Sequence, residues 1–389
     1  MNQRDIAEIR RRLNPDRRHP TIIRGCYVGS DGHIISTFDK NIGSMAQEEN
    51  EKFMALFKKV LSGTPGQNFL AIDYTTQQAA DGAQHMLLDQ LRDSALKDDA
   101  AVEYFFGQAA EFIKGYANAD LSVDEAQKLP NYLVLMLHDG YDVPHRDNND
   151  EMDHDRSAGV FGYTLCAVCP VKQSKAALRY FASEGDFHAQ ESDWVVGMPE
   201  LGFMYPAFEE RGANIYRVMY YTRNSNDLHD DFVTGILGAD LQMTAGEQQE
   251  TFRSILSETL ADECSMEVVQ TVHETIATLI EEQKADKTAE PLAFSKQDMV
   301  HLLEESGVSE EKTAKFEERY DESFGEQAVI PAVNTVQPKQ FKVETPSVSI
   351  KVSPERSDLI ETRMIDGKYY IMVLADGEVE VNGMRISME

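Results

Sequence analysis

"NYLVLML" (131–137) and "FGYTLCAVCPV" (161–171) are the stretches on which the fold turns. Both are dense in β-branched and aromatic residues, which fit a pleated, packed surface, and both are bounded by turn residues. More runs of the same kind follow before Arg223: "ALRYFAS", "DWVVGM", "GFMYPAF" and "NIYRVMYY". Most connections between them are short, so the economical arrangement is an antiparallel meander.

Upstream, "RDIAEIRRRL" (4–13) is an amphipathic helix pattern with Ile6, Ile9 and Leu13 turned to a core. It leads through Pro15 and Pro20 into "TIIRGCYV", and the turn "GSDG" (29–32) returns the chain as "HIISTF", a β-hairpin. Ser44 and Gln47 have the spacing of a capping box, opening a helix with Phe53, Phe57, Val60 and Leu61 on one face. "NFLAIDY" (68–74) reads as a strand. Val102, Phe105, Phe106, Ala109, Phe112, Ile113 and Tyr116 fall at helical spacing.

Downstream, helices return after Asp227. Thr244 with Glu247 is a second capping-box pattern, and Val269, Val272, Ile276 and Leu279 make an apolar stripe. Four prolines between 331 and 354 mark an extended connector. Beyond it, Asp366-Gly367, Asp376-Gly377 and Asn382-Gly383 sit between apolar runs as two-residue hairpin turns. The fold class is α+β: a mixed domain with a largely antiparallel sheet over 1–226, an acidic helical segment over 227–326, and a connector with a small carboxy-terminal β meander over 327–389.

Composition narrows the function classes. Lys and Arg number 37 against 67 Asp and Glu, a net charge of −30 in 389 residues. Such a field repels phosphate backbones, so general DNA binding is disfavoured. The charge is uneven: residues 1–24 carry seven arginines against three acids, whereas 240–326 carry 22 acids against seven bases. No apolar run reaches the ~18 residues of a membrane span. The first residues, "MNQRDIAEIRRRLNP", have no apolar core of a secretory signal, and four cysteines fit a reducing compartment, so a cytoplasmic location is expected.

Candidate chemistry is concentrated in "HDGYDVPHRDNNDEMDHDRS" (138–157), which lies between the two quoted strands and reads as a long connection. His138, Asp139, Asp142, His145, Asp147, Asp150, Asp153 and His154 could hold a divalent cation, with or without imidazole ligands. The preferred alternative is a solvated acidic loop. A calcium loop starting at Asp147 lacks its glycine and its closing glutamate, because Met152 and Ala158 stand there. The "HRD" triplet lacks the rest of a kinase. Cys166 and Cys169 form a CxxC, but inside a strand a separation of three aims the thiols at opposite faces, so both are expected in the core. Arg10, Arg11, Arg12, Arg17 and Arg18 could contact a partner or phosphates. The preferred reading is that they stay solvated or pair with the protein's own acids, on a helix that turns Ile6, Ile9 and Leu13 to the core.

The segments "RDIAEIRRRLNPDR…IIRGCYVG", "LHDGYDVPHRDNN", "FGYTLCAVCPVK", "PELGFMYPAFEERGANIYRVMYYT" and "VNGMRI" resemble the bacterial domain-of-unknown-function family numbered 4317, over nearly the full length. The resemblance implies an uncharacterised cytoplasmic bacterial protein, and it brings no activity, cofactor or catalytic residue. The function expected is that of a non-enzymatic interaction or regulatory protein, with a protein partner or self-association and no membrane. One alternative is a metal-dependent hydrolase or nuclease using residues 138–155. Another is a nucleoid- or ribosome-associated protein that contacts phosphates through the arginines. No cofactor is expected, a divalent cation excepted.

Overall fold

A computed structural model of the chain describes residues 1–16, 22–117, 129–146, 152–190, 192–240, 242–375, 377–381 and 383–386. The contacts divide the chain into two compact units, Met1–Ala245 and Gly246–Glu389. Among the described residues no helix is long and apolar enough to cross a membrane.

The first unit is built on β1 (Ile22–Val28), β2 (Ile34–Asn41), β3 (Phe69–Asp73), β4 (Asn131–Arg146) and β5 (Met152–Gln173), then β6 (Ala177–Phe181), β7 (Asp186–Gln190), β8 (Trp194–Val196), β9 (Leu201–Tyr205), β10 (Ala207–Glu209), β11 (Gly212–Asn214) and β12 (Arg217–Thr222). Eight of these form one sheet in the order β2-β1-β4-β5-β9-β12-β3, with β8 against the end of β5. Its pairings are antiparallel. β4-β5-β9-β12 is the expected meander. "ALRYFAS" leaves the sheet as the hairpin β6–β7, and "DWVVGM" supplies only the short β8.

Both faces of this sheet are covered, which is why its central strands read as continuous apolar runs rather than as alternating ones. On one face Val134, Met136, Cys166, Val168 and Phe203 meet α4 (Ala83–Asp93) and α5 (Asp99–Ala117). That numbering follows α1 (Gln3–Arg12), α2 (Gln47–Val60) and the short α3 (Thr76–Asp81). A turn after β12 completes this layer with Leu228, Phe232, Val233 and Ile236. On the other face Leu133, Leu135, Leu165, Cys169 and Met204 meet Ile6, Ile9 and Leu13 of the first helical segment and Phe57 and Val60 of α2.

The expected capping box at Ser44 does not form. α2 starts after Ala46 with no side-chain cap. Ser44 instead closes a 3-10 turn, Ile42–Ser44, in which the Gly43 amide donates to the Asn41 side chain. The Ser44 hydroxyl donates to the Asn41 carbonyl. A local side-chain partner has outcompeted the cap three residues further on.

The second unit packs helices Ala245–Leu260, Met266–Ala285, Lys296–Glu305 and Glu310–Phe324 around Phe252, Val272, Ile276, Phe316 and Tyr320, with the small pair β13 (Ala293–Ser295) and β14 (Val329–Pro331). The expected stripe splits: Val272 and Ile276 are buried, while Val269 is 43% and Leu279 37% exposed. Three hairpins end the chain: β15 (Phe341–Thr345) with β16 (Val348–Val352), β17 (Ile360–Ile365) with β18 (Lys368–Val373), and β19 (Val379–Val381) with β20 (Met384–Ile386). Asp366 and Gly367 turn the middle one with φ of +49° and +74°, the mirror-image turn that such dipeptides favour. Gly383 lies in the last turn, and Asp376 and Asn382 lie outside the described residues. The first hairpin falls within the connector stretch, with Pro346 in its turn, where no ladder donor is needed.

Cys166 and Cys169 are buried and belong to opposite layers of the sheet. Burial pushes both thiols far above the ordinary cysteine range, and Cys26 to about 11. Of the four cysteines only Cys264 is exposed. The native chain should therefore react quickly with a single equivalent of a thiol reagent, and with all four after denaturation, because the thiolate is the nucleophile. Fast reaction of a second thiol in the native state would contradict the burial.

Candidate functional site

Apart from residues 147–151, which lie outside the described residues, the acidic segment expected as a connection is instead the outer half of the two longest strands. β4 and β5 stay paired from Asn131↔Val171 to Arg146↔Met152, with His138 opposite Thr164, Asp139 opposite Tyr163 and Asp142 opposite Val160. Charge conceals an alternation here: Asp139, Tyr141 and Val143 are buried, whereas Gly140 and Asp142 are exposed. Tyr141, Val143 and Phe161 extend the core outward along one face only.

This geometry keeps the proposed metal ligands apart. Asp139 points into the α1 layer, where Arg12 Nε and Nη2 donate to its two oxygens at 3.0 and 3.1 Å and the Tyr163 hydroxyl donates at 3.1 Å. His138, the next residue along the strand, points to the opposite face and is half-buried there. Burial lowers its pKa, with Lys97 and Arg92 acting in the same direction and Asp139 against them. Asp142 is exposed. His145 and Asp153 are register partners, but their side chains and that of His154 are not described, and Asp147 and Asp150 lie outside the described residues. Among the described residues no three His, Cys, Asp or Glu side chains are grouped to hold a metal ion.

The arginine cluster also divides. Arg12 is enclosed by Asp139 and by the ring of Tyr141, whose centroid is 5.0 Å from its guanidinium carbon. Arg10 and Arg11 are exposed, and Arg17 and Arg18 lie outside the described residues. Beside Arg12, buried Glu8 receives Arg211 at 3.2 and 3.3 Å as well as the Tyr141 hydroxyl. Burial, then Glu8, pushes that hydroxyl up to about 12. These groups are consumed in fastening α1 to the sheet.

A second polar chain lies under α4. His85 Nε2 is 2.9 Å from the Ile215 carbonyl and 3.0 Å from the Tyr205 oxygen, and the Tyr205 hydroxyl lies 2.8 Å from Asp89, to which it donates. Arg92 pairs with Asp89 at 2.9 Å. The residue types suit proton transfer, but Tyr205 is fully buried and its proton is spent on Asp89, so no substrate reaches it.

Among the described residues of this unit, a groove of about 630 Å³ lies between α5 and the turn that follows β12. Its floor is Gly107, Phe112, Gly115, Gly235 and Ile236, with Tyr104 61% exposed at one side. Its rim carries Glu103, Glu111 and Asp231, and no lysine or arginine lines it among the described residues. Glu111 holds Lys114 at 3.3 Å, while Glu103 and Asp231 have no cation partner among the described residues. A side chain added at Gly107, Gly115 or Gly235 would meet nothing within 4 Å. Glycine inside a helix costs about 0.8–1 kcal/mol relative to alanine, and here no packing among the described residues requires it. The sequence carried a signal of this groove, two glycines eight apart on one helix face, hidden among better core markers.

A family model matches residues 1–384 of the chain. No curated protein and no solved structure matches it. Over those residues the chain belongs to the family described as domain of unknown function (DUF4317).

Proposed function

We propose that the protein is a non-enzymatic interaction protein whose groove along α5 receives a basic, amphipathic helix of a partner protein. The observation that carries this reading is the glycine floor under an acidic rim. Glu103 to Gly115 spans about 18 Å at 1.5 Å per residue, enough to seat roughly three turns of a partner helix. Bare backbone on the floor lets that helix approach closely, and the carboxylates complement lysine or arginine at its edges. A net charge of −30 steers basic partners inward and sets copies of this chain against one another.

A 14-residue helical peptide of leucine and lysine, with leucine along one face, is a suitable probe. It should bind the parent and lose at least about tenfold in affinity to Gly107→Leu/Gly115→Leu, which fills the floor and leaves every charge in place. Leucine is a better helix former than glycine, so the variant should melt no lower than the parent. Glu111→Gln/Asp231→Asn should weaken binding mainly through the association rate. Undiminished binding by the leucine variant would mean attraction by charge alone and sink the proposal. So would a parent dimer that the leucine variant abolishes, because a second copy would then be the occupant.

A further inference from the structure

The second unit contains a cavity of about 310 Å³ that takes no part in the groove. By the roughly 30 Å³ that each molecule occupies in liquid water, it has room for about ten waters or a ligand of similar heavy-atom count. Helices Ala245–Leu260 and Met266–Ala285 wall it with Phe252, Leu256, Val269 and Val272, and Val336 and Phe341 close it from the segment before and into β15. This explains the split stripe: Val269 is exposed because its side of the helix faces the opening.

Two polar groups on this wall stand out against the rest of the unit. Arg319, Arg356, Arg363 and Arg385 each hold a carboxylate. Arg253, which lines the cavity, holds none among the described residues, in a unit with a large excess of acids. His273, one turn beyond Val269, brings Nε2 to 3.1 Å from the Gln337 carbonyl. A carbonyl only accepts, so Nε2 carries the proton and the buried Nδ1, which has no hydrogen-bond partner among the described residues, presents a lone pair. Burial lowers the pKa of this imidazole against the pull of the Gln337 and Gln340 carbonyls, and the Arg253 guanidinium acts with burial. The ring therefore stays neutral; of the two cations lining the cavity, Lys342 is paired with Glu344 at 2.6 Å, and Arg253 is the one without a carboxylate among the described residues.

We infer that this cavity binds a small amphipathic monoanion, a carboxylate on an apolar body of about ten heavy atoms, with Arg253 receiving the carboxylate and the Phe252–Val272–Phe341 walls receiving the body. A guanidinium fork suits a carboxylate, and removing the apolar body from water supplies the rest of the affinity. The acids do not cancel this: Glu344, which lines the cavity, is neutralised by Lys342 at 2.6 Å, and exposed charges beyond about 8–10 Å are largely screened at physiological salt.

Octanoate is the probe, with n-octanol and n-octylammonium as same-length comparators, titrated calorimetrically into the full chain. Octanoate should bind at least about tenfold more tightly than octanol, the factor that one charge-assisted hydrogen bond provides, and octylammonium more weakly than either. Arg253→Gln, at an exposed position, should bring octanoate down to the level of octanol and leave octanol unchanged. Val269→Trp should block both. Because Cys264 lines the same cavity, bound octanoate should slow its alkylation in the parent but not, at equal concentration, in Arg253→Gln. No octanoate binding, equal affinity for octanoate and octanol, or full octanoate affinity in Arg253→Gln would each overturn the inference. None of these outcomes bears on the α5 groove, which belongs to the other unit.

Discussion

Arg12→Ala should destabilise the first unit by about 3–5 kcal/mol, the cost of leaving a buried carboxylate without its partner. The Arg12 and Asp139 side chains are only 11% and 8% exposed, so water cannot replace the lost guanidinium. The carboxylate would keep a single buried donor, the Tyr163 hydroxyl. Burial followed by Asp139 already drives that hydroxyl well above the ordinary tyrosine range, so it cannot ionise to relieve the site. The loss also removes the cation over the Tyr141 ring. Arg12→Met/Asp139→Leu should recover most of the stability, because an apolar pair carries no desolvation penalty. Urea denaturation of the parent, Arg12→Met, Asp139→Leu and the double variant gives the coupling directly, with Arg12→Ala measured beside them. A loss below about 1 kcal/mol for Arg12→Ala would place the pair among ordinary surface ion pairs.

Gly202→Val should cost about 3 kcal/mol or more, at the upper end of overpacking penalties. Gly202 sits in β9 opposite Ala167 of β5, at the centre of the covered sheet. Even a Cβ there would lie within 3.0 Å of both the Cys166 carbonyl oxygen and Val60 of α2. The carbonyl belongs to the ladder and cannot retreat without breaking it, so α2 must lift off that face of the sheet. Gly202→Ala should produce a smaller loss of the same sign. A melting temperature unchanged by valine would mean that α2 does not pack where it is described.

The spine of the fold was legible because strands buried on both faces need unbroken apolar runs, and "NYLVLML" and "TLCAVCPV" leave little else to build. Placing the CxxC thiols in opposite layers needed only the two-residue period of a strand. The outer half of β4 and β5 was misread because its carboxylates suggest solvent. Asp139 is buried all the same, since its partner Arg12 lies 127 residues away, and no local pattern reveals such a pairing. The failed cap at Ser44 turned on a competitor three residues upstream, Asn41. The candidate sites were less legible still. Gly107 and Gly115 become informative only when the space above them is known to be empty, and Arg253 only when every other arginine of its unit has found an acid.

Hydrogen exchange of the full chain, with and without the leucine–lysine helix, tests the central proposal most directly. Slowed exchange should be confined to residues 103–115 and 231–236, leaving the amides of β4, β9 and the second unit unchanged. The Gly107→Leu/Gly115→Leu chain should show no such protection at the same peptide concentration. Protection spread evenly over acidic surfaces, or retained in the leucine variant, would contradict a docking groove on α5.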